Sequence, residues 1–533
     1  MPTVTEATLH HHTTAYALSN PVERIADKPR ADFTRDDLLR VIEEKQVERI
    51  TFHYTGLDGK YKELKLPVSD ARRAERVLAE GERVDGSSLF RGVVDVSSSD
   101  LYVVPVYASA FLNPFDERSL DFTCRFLNRE GALAEFAPDS VLQKAARLLT
   151  DSTGLELNAL GELEFFVLHD PTPLYSAPRQ RGYHESSPYV KSGAMLDEIV
   201  HHLSQITGAV KYAHSETGTL GRIESESPEI HGKTAEQWEV EFLPRPVEEC
   251  ADSLVLARWV IRNVAYRHNC VATFAPKIEE GVAGNGMHVH VEVAKGGHNV
   301  MRSTAPERAK AARSGDPGFG ELSETAKRVI GGLCTHADSL TAFGNTVSAA
   351  YLRLVPNQEA PTSVCWSDSN RSAMIRVPLG WAGLENLAAR VNAGECGSAV
   401  PREGVQTIEL RTPDGSAMTH LLLAGITMAV EWGLSFDTSL EVAAKAYVPA
   451  GRAERKSGLM ALPRSCVESA RTLKKKREMY ERQGVFAPAL TDYVCRLLEE
   501  ENDDGMNARL AALPADDRLR ETRKIMHKDL HRH

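Results

Sequence analysis

Glu162-Leu163-Glu164-Phe165-Phe166 constrains this chain more than any other stretch. In an extended strand the side chains alternate, so both carboxylates must emerge on one face while Leu163 turns into a core. Two acids at that spacing raise each other's pKa unless a proton or a cation sits between them, so the pattern points to a divalent-metal site. Met287-His288-Val289-His290-Val291 and Ile408-Glu409-Leu410-Arg411 repeat the design, each setting polar groups on one face of an apolar strand. The ordinary origin of such alternation is a sheet with one solvated face. Three such strands, all with metal-compatible residues, make that explanation the weaker one.

At 533 residues the chain exceeds one ordinary domain, and two domains of unequal size are expected. A net charge of −11 argues against a nucleic-acid surface, and the basic run Lys474-Lys475-Lys476-Arg477 reads as the solvated side of a helix. No apolar run approaches membrane-spanning length and the N-terminus lacks the apolar segment of a signal peptide, so no membrane partner and a cytoplasmic location are expected. Eight scattered cysteines without a CxxC pair fit reduced thiols used as small core residues.

Residues 1–32 have little apolar pattern and read as a flexible tail, in which His10-His11-His12 are adjacent by chance rather than by design. A small α+β domain is expected over 33–137. It begins with a helix over 35–44, followed by a hairpin of strands 49–54 and 61–66 around the turn Leu57-Asp58-Gly59-Lys60, then strands near 101–106 and 119–127. A larger domain follows over 138–533, with a helix starting at Pro138 and long helices over 252–268, 325–343, 419–432 and 463–483. The stretch 217–237, rich in Glu, Ser and Gly, reads as a loop excursion, and the chain after Glu500 as a charged helical tail.

Eight pieces stand in order: Asp85-Gly86-Ser87-Ser88, Glu162 to Phe166, His214-Ser215-Glu216, Gln237-Trp238-Glu239, Gly284-Asn285-Gly286-Met287-His288-Val289-His290, Arg353 to Pro361, Asn370-Arg371-Ser372 with Arg376, and Glu409-Leu410-Arg411. This ordered set resembles the glutamine synthetase family, the bacterial type in particular, from about residue 47 to about 435. The resemblance implies an α+β fold, with a small N-terminal β-grasp domain followed by a large catalytic domain of antiparallel sheet and flanking helices. It also implies two sites for Mg²⁺ or Mn²⁺, one formed by Glu164, Glu216 and Glu239 and the other by Glu162, His288 and Glu409. Hard cations suit such carboxylates and keep positions open for phosphate oxygens of ATP. By the same resemblance Arg371 and Arg376 meet the phosphates, His290 lies near the nucleotide, and Arg353, with Gly284 and Arg411, receives the amino-acid substrate. Tyr183, Glu216, Glu359 and a neighbouring subunit's Asp85 would gather ammonium, with Glu359 on a flap.

The implied reaction joins glutamate and ammonia through γ-glutamyl phosphate, in a homo-oligomeric ring of two stacked hexamers. Several positions depart from the family pattern. Ala283 replaces an asparagine that contacts glutamate, Asn357 replaces a flap glycine, and Lys211, Glu292 and Thr407 stand near the nucleotide in place of a glutamate, a serine and an arginine. The chain between Glu216 and Glu239 is longer than in the bacterial enzymes, which makes the inserted Glu226 and Glu229 rivals of Glu216 as ligand. No clear counterpart of the tyrosine that some bacterial members adenylylate precedes Leu462-Pro463. The altered positions leave a γ-glutamyl ligase for a bulkier amine, such as ethanolamine or a polyamine, as the second reading. A structural or regulatory homologue without activity is the third.

Overall fold

Gly59, with a positive φ of 73°, closes the turn between Arg49–Thr55 (β1) and Tyr61–Pro67 (β2), which pair antiparallel from Arg49 opposite Pro67 to Thr55 opposite Tyr61. The computed structural model describes residues 16–94, 99–176, 178–308, 321–355, 360–381, 386–398, 405–449 and 458–532. Glu359, Asn357 and His10-His11-His12 lie outside them. The small sheet continues with Glu82–Asp85 (β3), Asp100–Pro105 (β4), Phe111–Leu112 (β5) and Ser119–Leu127 (β6), in the order β2-β1-β6-β4-β3, with β5 beside β6. Strands β1 and β6 run parallel, as in a β-grasp sheet. The helix Arg35–Glu44 begins at a capping box in which Thr34 and Asp37 satisfy each other's backbone N–H. The sequence reading omits the amphipathic helix Ala71–Glu80 and β3, although Asp70 caps that helix.

The expected tail is shorter than 1–32. Asn20 caps a helix over Pro21–Ala26, proline occupies its first turn, and Val22 is fully buried. Arg30 then donates to the carbonyl of Ile206 at 2.9 Å, tying this segment to the large domain.

The large sheet is built from Glu156–His169 (β7), Val210–Leu220 (β8), Thr234–Phe242 (β9), Arg245–Pro246 (β10), Val271–Thr273 (β11), Met287–Lys295 (β12), His298–Asn299 (β13), Trp366–Asp368 (β14), Ile375–Val377 (β15) and Ile408–Leu410 (β16). Its main path is β14-β15-β16-β12-β7-β9-β8, antiparallel except between β14 and β15. The expected excursion over 217–237 is therefore shorter, because β8 runs on to Leu220 and β9 starts at Thr234. Alternating Glu, Trp and Val after Thr234 have strand periodicity, which the polar composition of the stretch hides.

Behind the sheet lie the helices Pro138–Thr153, Val247–Arg267, Glu324–Gly344 and Thr419–Ser435. The last is buried on nearly every side, as a helix at the centre of a large core must be. Gly161 on β7 leaves room for Leu254 of the 247–267 helix, whose side chain would lie 2.6 Å from an added Cβ. This helix thereby seats directly against the strand that carries Glu162 and Glu164. No single helix among the described residues is long and apolar enough to cross a membrane. Six of the eight cysteines are buried and none forms a disulfide, in line with their use as small core residues.

Candidate active site

The register of the large sheet gathers the acidic residues. Glu162 of β7 stands opposite His288 of β12, Glu164 opposite Glu239 of β9, His290 opposite Glu409 of β16, and Glu239 opposite His214 of β8. Period-two alternation turns these side chains to one face, and sheet twist draws them together. Glu162 receives both imidazoles, His288 Nδ1 on Oε2 and His290 Nε2 on Oε1, each at 2.9 Å. His288 Nδ1 is also 3.7 Å from Glu409 and 3.9 Å from Glu164. On the other side His214 Nε2 lies 3.2 Å from Glu239 and its Nδ1 3.8 Å from Glu216. Candidate ligand atoms converge in three overlapping groups: Glu162, His290 and Glu409; Glu162, Glu239 and His288; and His214, Glu216 and Glu239.

All six residues proposed from the sequence as ligands thus belong to one connected cluster. Two histidines join it. His290, expected near the nucleotide, bonds Glu162 and, through Nδ1, Thr407 Oγ1 at 3.0 Å. The i, i+2 spacing of His288 and His290 was the signal for this shared face. His214 is flagged in the sequence only by its proximity to Glu216, and its strand register supplies the rest. The rivals Glu226 and Glu229 turn to the C-terminal segment, pairing with Lys524 at 3.7 Å and His531 at 2.9 Å.

The electrostatics of the cluster call for positive charge. Burial and then the carboxylates of Glu162, Glu164 and Glu216 push Glu239 well above the usual carboxylate range. Glu164 is raised by burial, with Glu216 adding to it, against the pull of His288 and Arg353. Glu162 is lowered, because His290 and His288 outweigh its burial. A cation among these carboxylates would relieve the repulsion that raises Glu239, and the donor set of carboxylate oxygens with one or two imidazoles suits Mg²⁺ or Mn²⁺.

Beside the cluster is a cavity of about 280 Å³ whose lining includes Glu164, Glu216, Gly284, His288, Arg353 and Arg411. Arg353 is buried, donating to the carbonyl of Thr412 at 3.0 Å and lying 3.3 Å from His288 Nε2. Gly286 has no room for a side chain: a Cβ there would sit 2.5 Å from His288 Nε2 and 3.0 Å from Arg353 Nη2. Its N–H donates to Glu164 at 2.8 Å, and Gln237 bridges Glu164, the Gly284 carbonyl and Asn285, each at 3.1 Å. Ala283 and Lys277 also line the cavity. The sequence reading passes over Lys277 and gives Gln237 no role of its own; burial in this wall, which strand alternation does not reveal, marks them.

The remaining candidates surround this centre. Arg376 donates to Glu409 at 2.8 Å and Arg411 bonds the other oxygen of the same carboxylate. Arg371 is exposed, and Tyr183, Glu409, Glu162 and Glu216 outweigh its partial burial and raise its pKa. Tyr183 is half-exposed and stacks on His184, with His214 edge-on at 5.4 Å. Lys211 bonds Glu241 at 2.6 Å, and Glu292 accepts from Asn158 and Asn299. Asp85 is exposed on the small domain, its carboxylate held by the hydroxyls of Ser88 and Ser87 and the N–H of Ser87, which keep its pKa low.

A sheet face that concentrates carboxylates, imidazoles and arginines beside a small polar cavity defines a class of enzyme that handles phosphorylated, anionic substrates. Comparison with known proteins is more specific. Residues 135–509 match the family described as glutamine synthetase, catalytic domain, and residues 46–129 match glutamine synthetase, beta-Grasp domain. The chain belongs to the glutamine synthetase family and is an ATP-dependent ligase; members of this family generally use divalent metals with ATP. It is 29% identical over 500 residues to glutamine synthetase from Methylococcus capsulatus, covering 88% of this chain and 96% of that one. With the Frankia alni glutamine synthetase it shares 30% over 420 residues, covering 74% and 80%. Among solved structures, glutamine synthetase of Plasmodium falciparum superposes with a TM-score of 0.69 at 19% identity, covering 91% of this chain and 98% of that one. A protein solved as the GmaS/ADP complex gives 0.66 at 20% identity, covering 90% and 98%.

Proposed function

We propose that the protein condenses glutamate with ammonia through γ-glutamyl phosphate, using ATP. The observation that carries this reading is the cavity shared by Arg353, Gly284 and the carboxylates Glu164 and Glu216, set against the acidic cluster. Glu162, Glu164, Glu216, Glu239, His288 and Glu409 would hold two divalent cations, Mg²⁺ or Mn²⁺. When bound, the cations neutralise phosphate oxygens and the charge that develops on the transferred group.

The chain's own residues then have separate tasks. Arg353, buried at the cavity wall, receives the α-carboxylate of the amino acid, and the bare backbone at Gly284 lets that substrate approach. Arg371, which interacts electrostatically with Glu409, Glu162 and Glu216, and Arg376 add fixed positive charge for the phosphates, and His290, paired across β12–β16 with Glu409, borders them. Arg411, beside the same cavity, borders the amino acid. Glu216 and Tyr183 supply the acidic, aromatic pocket that attracts ammonium, with Glu359 as the acceptor of its proton.

Asp85 stands exposed on the small domain, its carboxyl held well below the usual carboxylate range by Ser88, Ser87 and Ser99. We assign it to the ammonium pocket of a neighbouring subunit in a ring of two stacked hexamers, a head-to-tail contact that closes on itself.

One observation favours the second reading, transfer to a bulkier amine. Ala283 gives the cavity an apolar wall where the family offers an amide, and Tyr183 stays half-exposed at the pocket's edge. The experiment is phosphate release with ATP, Mg²⁺ and glutamate, with ammonium, methylamine, ethanolamine and a polyamine as acceptors and mass spectrometry of the product. Ammonium is expected to support the highest kcat/KM. Silence with ammonium alongside turnover with a larger amine would replace the first reading with the second.

A further inference from the structure

The helix Val247–Arg267 carries two arginines one turn apart, the buried Arg258 and the half-buried Arg262. Like charges at that spacing repel, and buried charges are ordinarily paired. These two are not. Arg258 is 2% exposed; it donates to the carbonyl of Ala417 at 3.2 Å and to the weak acceptor Sδ of Met287 at 3.2 Å, and its Nε has no acceptor. Nε and Nη2 of Arg262 are buried without an acceptor as well. Both guanidiniums lie near the ring of Phe274, at 5.8 and 4.9 Å from its centroid. Asp414 acts on Arg258 only through space, its own oxygens taken by Asn345 and Ser416. Burial, with Arg262 adding to it, pushes Arg258 down to about 9, and burial pushes Arg262 down to about 10.

The pair borders a cavity of about 310 Å³ at the junction of the two domains, lined also by Lys60, Tyr61, Trp259 and His531. Lys60 comes from the β1–β2 turn, and His531, paired at 2.9 Å with Glu229, from the C-terminus. Among the described residues no aspartate or glutamate lines this cavity, although the chain as a whole carries a net charge of −11. Three fixed cations around a space with no carboxylate form an electrostatic trap, and the guanidinium fork matches the oxygens of an oxyanion.

We propose that this cavity binds a compact oxyanion of two negative charges, held between Lys60 of the small domain and Arg258 and Arg262 of the large one. The chemistry shared by phosphate and a short dicarboxylate meets the requirement: two or more oxygens to take unpaired guanidinium donors, and charge to offset the repulsion of the arginines. The site is separate from the acidic cluster, which attracts cations. Its occupant would brace the β1–β2 turn against the helix that backs Glu162 and Glu164.

The test is calorimetric titration of the full-length protein, its active cleft filled by Mg²⁺ and a non-hydrolysable ATP analogue, with inorganic phosphate in one arm and succinate in the other. At least one probe is expected to bind with one equivalent per chain, and the arm that responds identifies the source of the oxygens. Arg262→Gln and Lys60→Gln are each expected to weaken that binding by about tenfold or more, the loss of one charge-assisted contact. Lys60 is exposed on a turn, so its substitution leaves folding intact, and undiminished binding of the ATP analogue verifies this for both variants. Absence of saturable binding by either probe, or binding unchanged in both variants, overturns the proposal.

Discussion

Replacing Glu501 with glutamine removes one charge from a buried junction and keeps its shape. The carboxylate accepts from Ser348 N at 3.0 Å, Ser348 Oγ at 2.6 Å, Lys528 Nζ at 2.7 Å and Arg532 Nη1 at 2.6 Å. It thereby fastens the C-terminal segment to the turn that precedes the helix Ala350–Arg353. Burial pushes this carboxyl up, but Lys528, Ser348 and Arg532 outweigh it and hold the pKa at about 2 against an ordinary 4.5. A depression of that size corresponds to about 3 kcal/mol of stability. Because the folded pKa is depressed, the contribution is complete above pH 4.5 and is lost as pH falls from 4.5 toward 2. In urea unfolding followed by tryptophan fluorescence, Glu501→Gln is expected to lower stability by about 2–3 kcal/mol at pH 7. The gap from wild type should narrow by about 1 kcal/mol at pH 4. Hydrogen exchange should quicken at 345–353 and 515–532 in the variant. A loss under about 0.5 kcal/mol at pH 7, the level of an ordinary surface change, or a gap that stays constant down to pH 4, would refute the reasoning.

Gly286→Ala forces a methyl against His288 and Arg353, and is expected to cut kcat/KM by about 100-fold or more with the circular-dichroism spectrum unchanged. Activity within about twofold of wild type would show that neither side chain needs its position. Glu226→Gln and Glu229→Gln should leave the Mg²⁺ requirement intact, since both face the C-terminal segment, whereas Glu216→Gln should raise the Mg²⁺ needed for half-maximal rate by about tenfold or more. The reverse pattern would move the ligand into the insertion. Mixing Asp85→Ala with Arg371→Ala subunits after dissociation should restore activity, because some boundaries then contain two intact halves. Confirmed subunit exchange without recovery would end the shared-site proposal.

Much of this molecule was legible in its sequence because the acidic residues lie on strands, where alternation fixes the face of each side chain. Glu162, Glu164, His288, His290 and Glu409 follow from period two alone. Which carboxylate meets which imidazole does not, since that depends on the register of β7, β9, β12 and β16, separated by up to hundreds of residues. His214 and Gln237 stand in quoted motifs, but their contacts with Glu239 and Glu164 came only from that register. The long helices were readable from their stripes, but Ala71–Glu80 was not, its apolar face being only Ala74, Val77 and Leu78 among charged neighbours. The helix Pro21–Ala26 rests on the buried Val22 and Ala26 and one cap, too small a pattern to separate from a tail. The arginine pair on Val247–Arg267 drew no reading from the sequence, because nothing in its spacing shows that its guanidinium nitrogens are buried.

Transfer of oxygen from the substrate carboxylate to phosphate tests the central claim most directly. Glutamate labelled with ¹⁸O in its side-chain carboxylate is incubated with ATP, Mg²⁺ and the acceptor amine, and the released phosphate is analysed by mass spectrometry. If the carboxylate attacks the γ-phosphorus and the amine then displaces phosphate, one labelled oxygen leaves with each phosphate and one stays in the amide. Phosphate that carries no label while amide is formed would mean that the carboxylate never became an acyl phosphate, and the account of this site would fail.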